Sequence, residues 1–376
     1  METKTKYGFV KLHRIAGEML LNKASNKNEA SITTIESKHW QVVSMYAVAH
    51  FFADFACAFF IFRYVVGTAN AYVAVLLYNF CAFAMRMPIG VIADRLNKNY
   101  LVAALGCVLV GAAYGLAALP TPAVIIIGIG NAMLHIGGGI DVLNISTRKL
   151  SPLGIYAAPG IFGIYFGTML GTGSGFSALY APLAIIAVAG VIFAVHKLQN
   201  QTHPKNATFT LSGTGSPRLL MAIACLFFVV CIRSFTGLAL DFAWDGINIW
   251  GILLLCAAAI GTIGGGFAAD RFGLRKIAIF ATGFAAVLFL FPMTPPPGIM
   301  AVLLFSMTMP ITLWAAAKIM PGAKGFAFGL LTVGQFIGFL PVYLGIMVAQ
   351  DAFLIFAVLS VISLVLLWLG LRGAKL

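Results

Sequence analysis

After residue 39 the chain alternates between long apolar runs and short polar or turn-forming breaks. A helix needs about 20 apolar residues to cross the hydrocarbon of a bilayer, and backbone groups in lipid must pair within their own segment, so these runs are read as membrane helices. Twelve are expected, at 40–66, 70–93, 100–119, 121–143, 156–174, 176–196, 218–240, 247–269, 277–293, 298–317, 325–349 and 352–371. Turn residues mark most of the gaps: Gly67 to Asn70, Pro120 to Pro122, Asp241 to Gly246, and Pro295 to Gly298. The organisation expected is a tail at 1–38, a six-helix half at 39–196, a linker at 197–217 and a second six-helix half at 218–376.

Composition agrees with this reading. A chain that is 61% hydrophobic and 9% charged, with a mean hydropathy of +0.99, lacks the polar residues to cover a water-soluble globule of 376 residues. Charge placement sets the orientation. With the amino terminus in the cytoplasm, every one of the 24 Lys and Arg residues except Arg63, Arg86 and Arg233 falls in cytoplasmic segments, while the outer loops carry Asp241, Asp245 and Asp351. Both termini are therefore expected in the cytoplasm. The net charge of +13 follows from topology and does not call for a nucleic-acid partner. The glycosylation-type patterns at Asn200 and Asn206 fall in the cytoplasmic linker and are discounted.

The six cysteines lie inside apolar spans without disulfide or metal-knuckle spacing, as expected of small packing residues. In the tail, Phe9, Leu12, Ile15, Ala16, Met19 and Leu20 recur at helical spacing among Lys11, Arg14 and Lys23. That pattern suits a short amphipathic helix on an anionic membrane surface, or an unstructured tail. It has no apolar core of signal-peptide type.

One loop motif occurs twice. Gly90-Val-Ile-Ala-Asp94-Arg95 is echoed by Gly266-Phe-Ala-Ala-Asp270-Arg271, each after the second helix of its half, and Gly273, Arg275 and Lys276 extend the second copy. An aspartate at a helix end can pair with a cation or meet the positive start of a neighbouring helix. Twelve helices, two halves, a central linker and this repeated loop resemble the major facilitator superfamily of secondary transporters, over about residues 40–371. The resemblance implies an all-α integral membrane fold of two pseudo-symmetric six-helix bundles. It also implies that Gly90, Asp94, Arg95, Gly266, Asp270, Arg271 and Arg275 form a conformational latch. The first copy departs from the family pattern at Asn97, where glycine is usual, and at Asn99.

Polar residues at mid-membrane depth are costly unless paired or in use, so they are the candidates for binding chemistry. After Glu36 the chain contains no glutamate. Asp54 is the one carboxylate placed near mid-bilayer, with Asp141 closer to the cytoplasmic end of its helix. His50 stands one turn before Asp54, Asn131 and His135 form a similar pair in the fourth helix, and Arg233 lies deep in the seventh. The family resemblance implies that helices one, four, seven and ten line a central cavity. His50, Asp54, Asn131, His135 and Arg233 would then converge, with Thr312 and Trp314 opposite. Arg63 and Arg86 are weaker candidates for this cluster, because a side chain of this length can also snorkel toward an interface.

These residues suggest proton-coupled transport of a small polar or anionic solute. Asp54 with His50 would titrate, the proton gradient would be the driving force, and no cofactor is expected. His50-x-x-x-Asp54 and Asn131-Ala-Met-Leu-His135 are also similar to the bacterial fosmidomycin-resistance-like branch, which implies drug efflux, a bacterial inner membrane and a monomer. The glycines from Gly160 to Gly175 form a close-packing stripe that is similar to the fifth-helix motif of family antiporters, with Pro159 displaced to the helix start.

Two alternatives stay open. His50, Asp54 and Cys57 at i, i+4 and i+7, with His135, could carry a divalent transition metal, although no resident metal is expected. A transporter-like receptor or scaffold would bind without moving a solute. No hydroxyl or thiol nucleophile has a base at helical spacing, so an enzyme is not expected.

Overall fold

The computed structural model describes residues 36–173, 175–199, 205–211, 215–244, 249–345 and 353–376. The amino-terminal segment expected to be amphipathic, and the outer-loop residues Asp245 and Asp351, lie outside them. Eleven helices among the described residues are long and apolar enough to cross a membrane. They are α1 (Glu36–Val65), α2 (Ala71–Leu96), α3 (Asn99–Leu116), α4 (Pro120–Ile145), α5 (Ser151–Thr172), α6 (Tyr180–Gln199), α7 (Pro217–Ala239), α8 (Ile249–Phe272), α10 (Pro295–Ile319), α11 (Lys324–Tyr343) and α12 (Phe353–Gly373). The twelfth helix of the expected set is α9 (Leu274–Leu288), with 15 residues. At 1.5 Å per residue it spans roughly 22 Å, less than the hydrocarbon thickness, and turns at Phe289 to Phe291 follow it.

Several helix starts differ from the apolar pattern for local reasons. Proline at the first or second position begins α4, α7 and α10, and Pro152 begins α5 at Ser151, ahead of the expected 156. The turns after the two Asp-Arg pairs use left-handed backbone: Gly273 has φ 97°, and Asn97 has φ 49°. Asparagine tolerates this region better than most side chains, which explains why the first copy can dispense with glycine. Two π-turns interrupt the regular winding, at Ile61–Val65 in α1 and Phe80–Ala84 in α2.

Helices α1 to α6 form one half and α7 to α12 the other. The halves meet mainly where α2 lies along α11 and α5 lies along α8. Glycine makes these approaches possible. A methyl group at Gly90 would strike the backbone of Gly325, and one at Gly266 would meet Ser151 at 2.9 Å. The glycine stripe of α5 packs on α1, with Gly163, Gly167 and Gly171 against Phe51, Phe55 and Phe59. The stripe of α11 packs first on α2 and then on α7. Large apolar side chains such as Val108, Ile164, Leu183, Ile260 and Phe284 remain exposed on the outer surface, where lipid replaces water.

The linker is held in place over part of its length. Asn206 donates its backbone N–H to Asn97 Oδ1 at 2.8 Å, and its side chain exchanges hydrogen bonds with Asn99 and accepts one from Asn144. Thr210 N–H donates to Gly322 O in the other half, and Arg95 stacks over Phe209. The expected flexible linker is thus, at 205–211, a strap across the face that carries the Asp-Arg loops.

Candidate functional site

Two pairs of residues spaced by one helical turn meet in the first half. His50 and Asp54 on α1 face Asn131 and His135 on α4. His50 Nε2 lies 3.1 Å from Asp54 Oδ2, and His135 Nε2 lies 3.5 Å from Asp54 Oδ1. The two imidazole rings meet edge to face at 4.4 Å. His135 is buried, whereas His50 and Asp54 keep 11% and 13% of their side-chain surface exposed.

The other ring nitrogens are committed elsewhere. His50 Nδ1 lies 3.0 Å from Tyr156 O, and His135 Nδ1 lies 2.8 Å from Asn131 O. A carbonyl oxygen can only accept, so both Nδ1 atoms must carry hydrogen. Each Nε2 therefore turns toward the carboxylate the atom that holds a lone pair in the neutral ring. Lone pairs facing a carboxylate repel, so a proton or another cation placed among the three would favour this arrangement.

A second layer fixes the first. Asn131 Nδ2 donates to Asp54 Oδ1 at 3.1 Å, and Asn131 Oδ1 accepts from Arg86 Nη2 at 2.8 Å. Tyr156 O–H donates to His135 O at 3.1 Å. Arg86, a weaker candidate from sequence, therefore belongs beside this cluster. It is 5% exposed and points inward to Asn131, while its Nε has no partner. The π-turn immediately before it shifts the register of α2 and turns the guanidinium toward α4. Arg63, by contrast, is exposed and donates to Gly173 O at the far end of α1.

Gly160 on α5 completes the pocket. A methyl group there would collide with His50 Nε2 and Asp54 Oδ2, so this helix can close over the pair only because the position lacks a side chain. Cys57 receives a 3.6 Å contact from Asn131 Nδ2 and stays outside the His50, Asp54, His135 cluster.

Two residues expected here are elsewhere. Arg233 donates to Thr312 Oγ1 at 3.2 Å within the second half and forms no hydrogen bond or ion pair with Asp54. Trp314 donates to Ser146 O at 2.7 Å, bridging α10 to the end of α4 on the strapped face. Two residues along a helix is a rotation of about 200°, so Thr312 and Trp314 point in nearly opposite directions.

The repeated loops form a reciprocal pair of contacts. Asp94 accepts the backbone N–H groups of Gly325 and Phe326 at 2.8 and 2.9 Å, at the start of α11. Asp270 accepts those of Leu150 and Ser151 at 2.6 and 3.0 Å, at the start of α5. Each carboxylate thus caps a helix of the opposite half, where unpaired N–H groups and the helix dipole favour negative charge. Arg95, Arg271 and Arg275 pair with neither aspartate among the described residues; Arg271 lies over Phe272. Lys318 and Lys324 add donors to Thr147 O and Asn144 Oδ1, so this face is closed across the two halves.

Solved structures share this architecture. A major facilitator superfamily transporter, FucP, in the outward conformation aligns with a TM-score of 0.63 and 14% identity, covering 90% of this chain and 97% of that one. A variant of the E. coli fucose:proton symporter FucP aligns at 0.58 and 13%, covering 89% and 98%. A bacterial homologue of the iron transporter ferroportin in an outward-facing state gives the same values. No family model and no curated protein matches the sequence. The chain has the major facilitator fold, an integral membrane architecture whose structural neighbours are transporters.

Proposed function

We propose that the protein is a secondary active transporter that moves a small polar or anionic organic solute by alternating access, coupled to protons at His50, Asp54 and His135. The observation that carries this reading is the facing of two Nε2 atoms and one carboxylate whose remaining hydrogen bonds are already committed. Only positive charge relieves that arrangement, and a proton supplies it in the least space. Arg86, acting through Asn131, offsets the carboxylate charge, so gain and loss of one proton changes the charge state of the whole pocket. The reciprocal helix caps of Asp94 and Asp270 supply the other requirement, contacts between halves that can be made in one state and broken in another.

In this reading the proton gradient is the driving force and the protein works as a monomer in a bacterial inner membrane, with its basic face toward the cytoplasm. Outward transport rests on the resemblance of the His50–Asp54 and Asn131–His135 stretches to the fosmidomycin-resistance-like branch. Reconstituted protein under an imposed pH gradient, with proton movement followed by an internal pH dye across a solute panel, tests the proposal. Asp54→Asn is expected to abolish proton-driven flux while the protein still folds. Unchanged flux in that variant would refute the coupling role.

A second reading has its own observation. His50, Asp54 and His135 each offer a ligand atom within 4.8 Å of the others, and metal-binding histidines commonly donate Nδ1–H to a carbonyl, as both do here. A divalent transition metal carried as substrate would fit this donor set. Arg86 weighs against it, because a doubly charged ion beside a guanidinium leaves excess positive charge in an apolar interior. Thermal stabilisation by Mn²⁺, Co²⁺ or Zn²⁺ that His50→Ala removes would favour the metal over the proton.

A further inference from the structure

The second half contains a cation that the proton site does not use. Among the described residues, Arg233 on α7 has one hydrogen-bonding partner, the neutral hydroxyl of Thr312, and none of their carboxylates is paired with it. A guanidinium has five N–H donors, and taking it out of water is costly without an anion to meet them. Here the space for that anion is already present. Arg233 lines a cavity of about 350 Å³ bounded by α7, α8 and α10, and a second of about 250 Å³ toward Gln335 and Phe339.

An independent feature borders the same space. Thr236, one turn after Arg233 and on the same face of α7, is 2% exposed, and its hydroxyl has no hydrogen-bond partner. It also lines the larger cavity. Buried hydroxyls are normally paired, and a threonine in a helix usually satisfies itself on a preceding carbonyl, as Thr262 and Thr282 do in this molecule. Among the described residues, Thr236 and Arg233 thus hold unspent donor capacity at the border of one cavity. Most of the remaining wall is apolar, including Leu254, Phe289, Val302 and Phe305. The volume lies within the range of small-molecule sites.

We propose that this cavity is the solute site and that its ligand is an organic anion with an apolar body, a carboxylate or phosphonate held by Arg233 and Thr236 with its body against α8 and α10. The assignment deepens the transport reading by naming the substrate class, and it rests on that reading for the claim that the ligand is carried. Proton and anion sites lie in different halves and share no residue.

The test uses purified full-length protein in nanodiscs and calorimetric titration with benzoate, phenylacetate and phenylphosphonate, with benzamide as the neutral match. At least one acid is expected to bind and benzamide is not. Arg233→Gln should weaken the acid at least about tenfold, the scale of a charge-assisted hydrogen bond, and Thr236→Val by a smaller factor. Thr236→Val preserves shape and keeps the test decisive if Arg233→Gln does not fold. Failure of all three acids to bind wild type, equal binding of acid and benzamide, or binding indifferent to both cavity substitutions would each overturn the assignment. Acid binding that is intact in a protein whose proton-driven flux ignores Asp54→Asn would uphold this site and sink the coupling role instead.

Discussion

Asp94, near the end of α2, accepts the backbone N–H of Gly325 at 2.8 Å, across the boundary between the halves. Asp270 makes the equivalent contact with Leu150 in the opposite sense. The two interactions are related as the halves are related, and both lie on the face closed by the strap and by Trp314, Lys318 and Lys324.

Removing either carboxylate charge should favour opening of that face. Charge-assisted hydrogen bonds contribute about 1.5–3 kcal/mol each, so Asp94→Asn or Asp270→Asn should shift the closed-to-open ratio by roughly tenfold or more. Spin labels on α4 and α10 at the closed face, read by pulsed distance measurement, should show a larger population at long separation. An unchanged distance distribution in both variants would remove the latch role from these residues.

Gly160→Ala should damage the proton pocket directly. The added methyl collides with His50 and Asp54, and overpacking of this kind typically costs 1–3 kcal/mol. Both melting temperature and proton-driven flux should fall. Gly173→Ala is the control, since a methyl there finds its nearest neighbour at 3.6 Å and should leave both readouts unchanged.

Asn131→Ala should separate Arg86 from Asp54. It removes the acceptor of the guanidinium and a donor to the carboxylate, leaving two charged groups short of partners, at a cost of about 2–4 kcal/mol. Asn131→Asp, which keeps an acceptor for Arg86 but sets a second carboxylate against Asp54, should restore stability in part while flux stays low. Full flux in Asn131→Ala, measured in proteoliposomes, would show that Arg86 plays no part in the pocket.

Arg86→Lys is expected to be a poor substitute. The planar guanidinium reaches Asn131 Oδ1 from a buried position, and a compact ammonium is more strongly hydrated and shorter in reach. Flux through this variant should drop several-fold with little change in expression, as measured against wild-type protein at equal reconstitution density.

The fold was legible because its signals are periodic and repeated. Long apolar runs, one-sided Lys and Arg, and the doubled Gly-x-x-x-Asp-Arg loop all survive without knowledge of the packing. α9 was the weakest element because it is short and its apolar run continues into turns. In the site, His50 with Asp54 and Asn131 with His135 could be paired within their helices by turn spacing alone. Arg86 could not, since a guanidinium near a helix end resembles a snorkelling one until α2 is placed against α4. Its distance from the loop was the available clue: Asp94 is eight residues later, about 12 Å along the helix, so Arg86 was too deep to reach that surface easily. Trp314 was misplaced for the converse reason, because membership of a cavity-lining helix does not specify which way a residue faces; Arg233 does line a cavity, but within the second half and away from Asp54. The free hydroxyl of Thr236 has no sequence signature.

The seating of Asn206 bears on where this polypeptide can be cut or extended. Its side chain and backbone meet Asn97, Asn99 and Asn144, so the stretch that joins the two halves is also a gasket in the wall it crosses. A reporter domain inserted at Thr208 would unseat the gasket, and the same insertion at Lys375 would not touch it. The linker of this chain is a working part, with its own tolerance map.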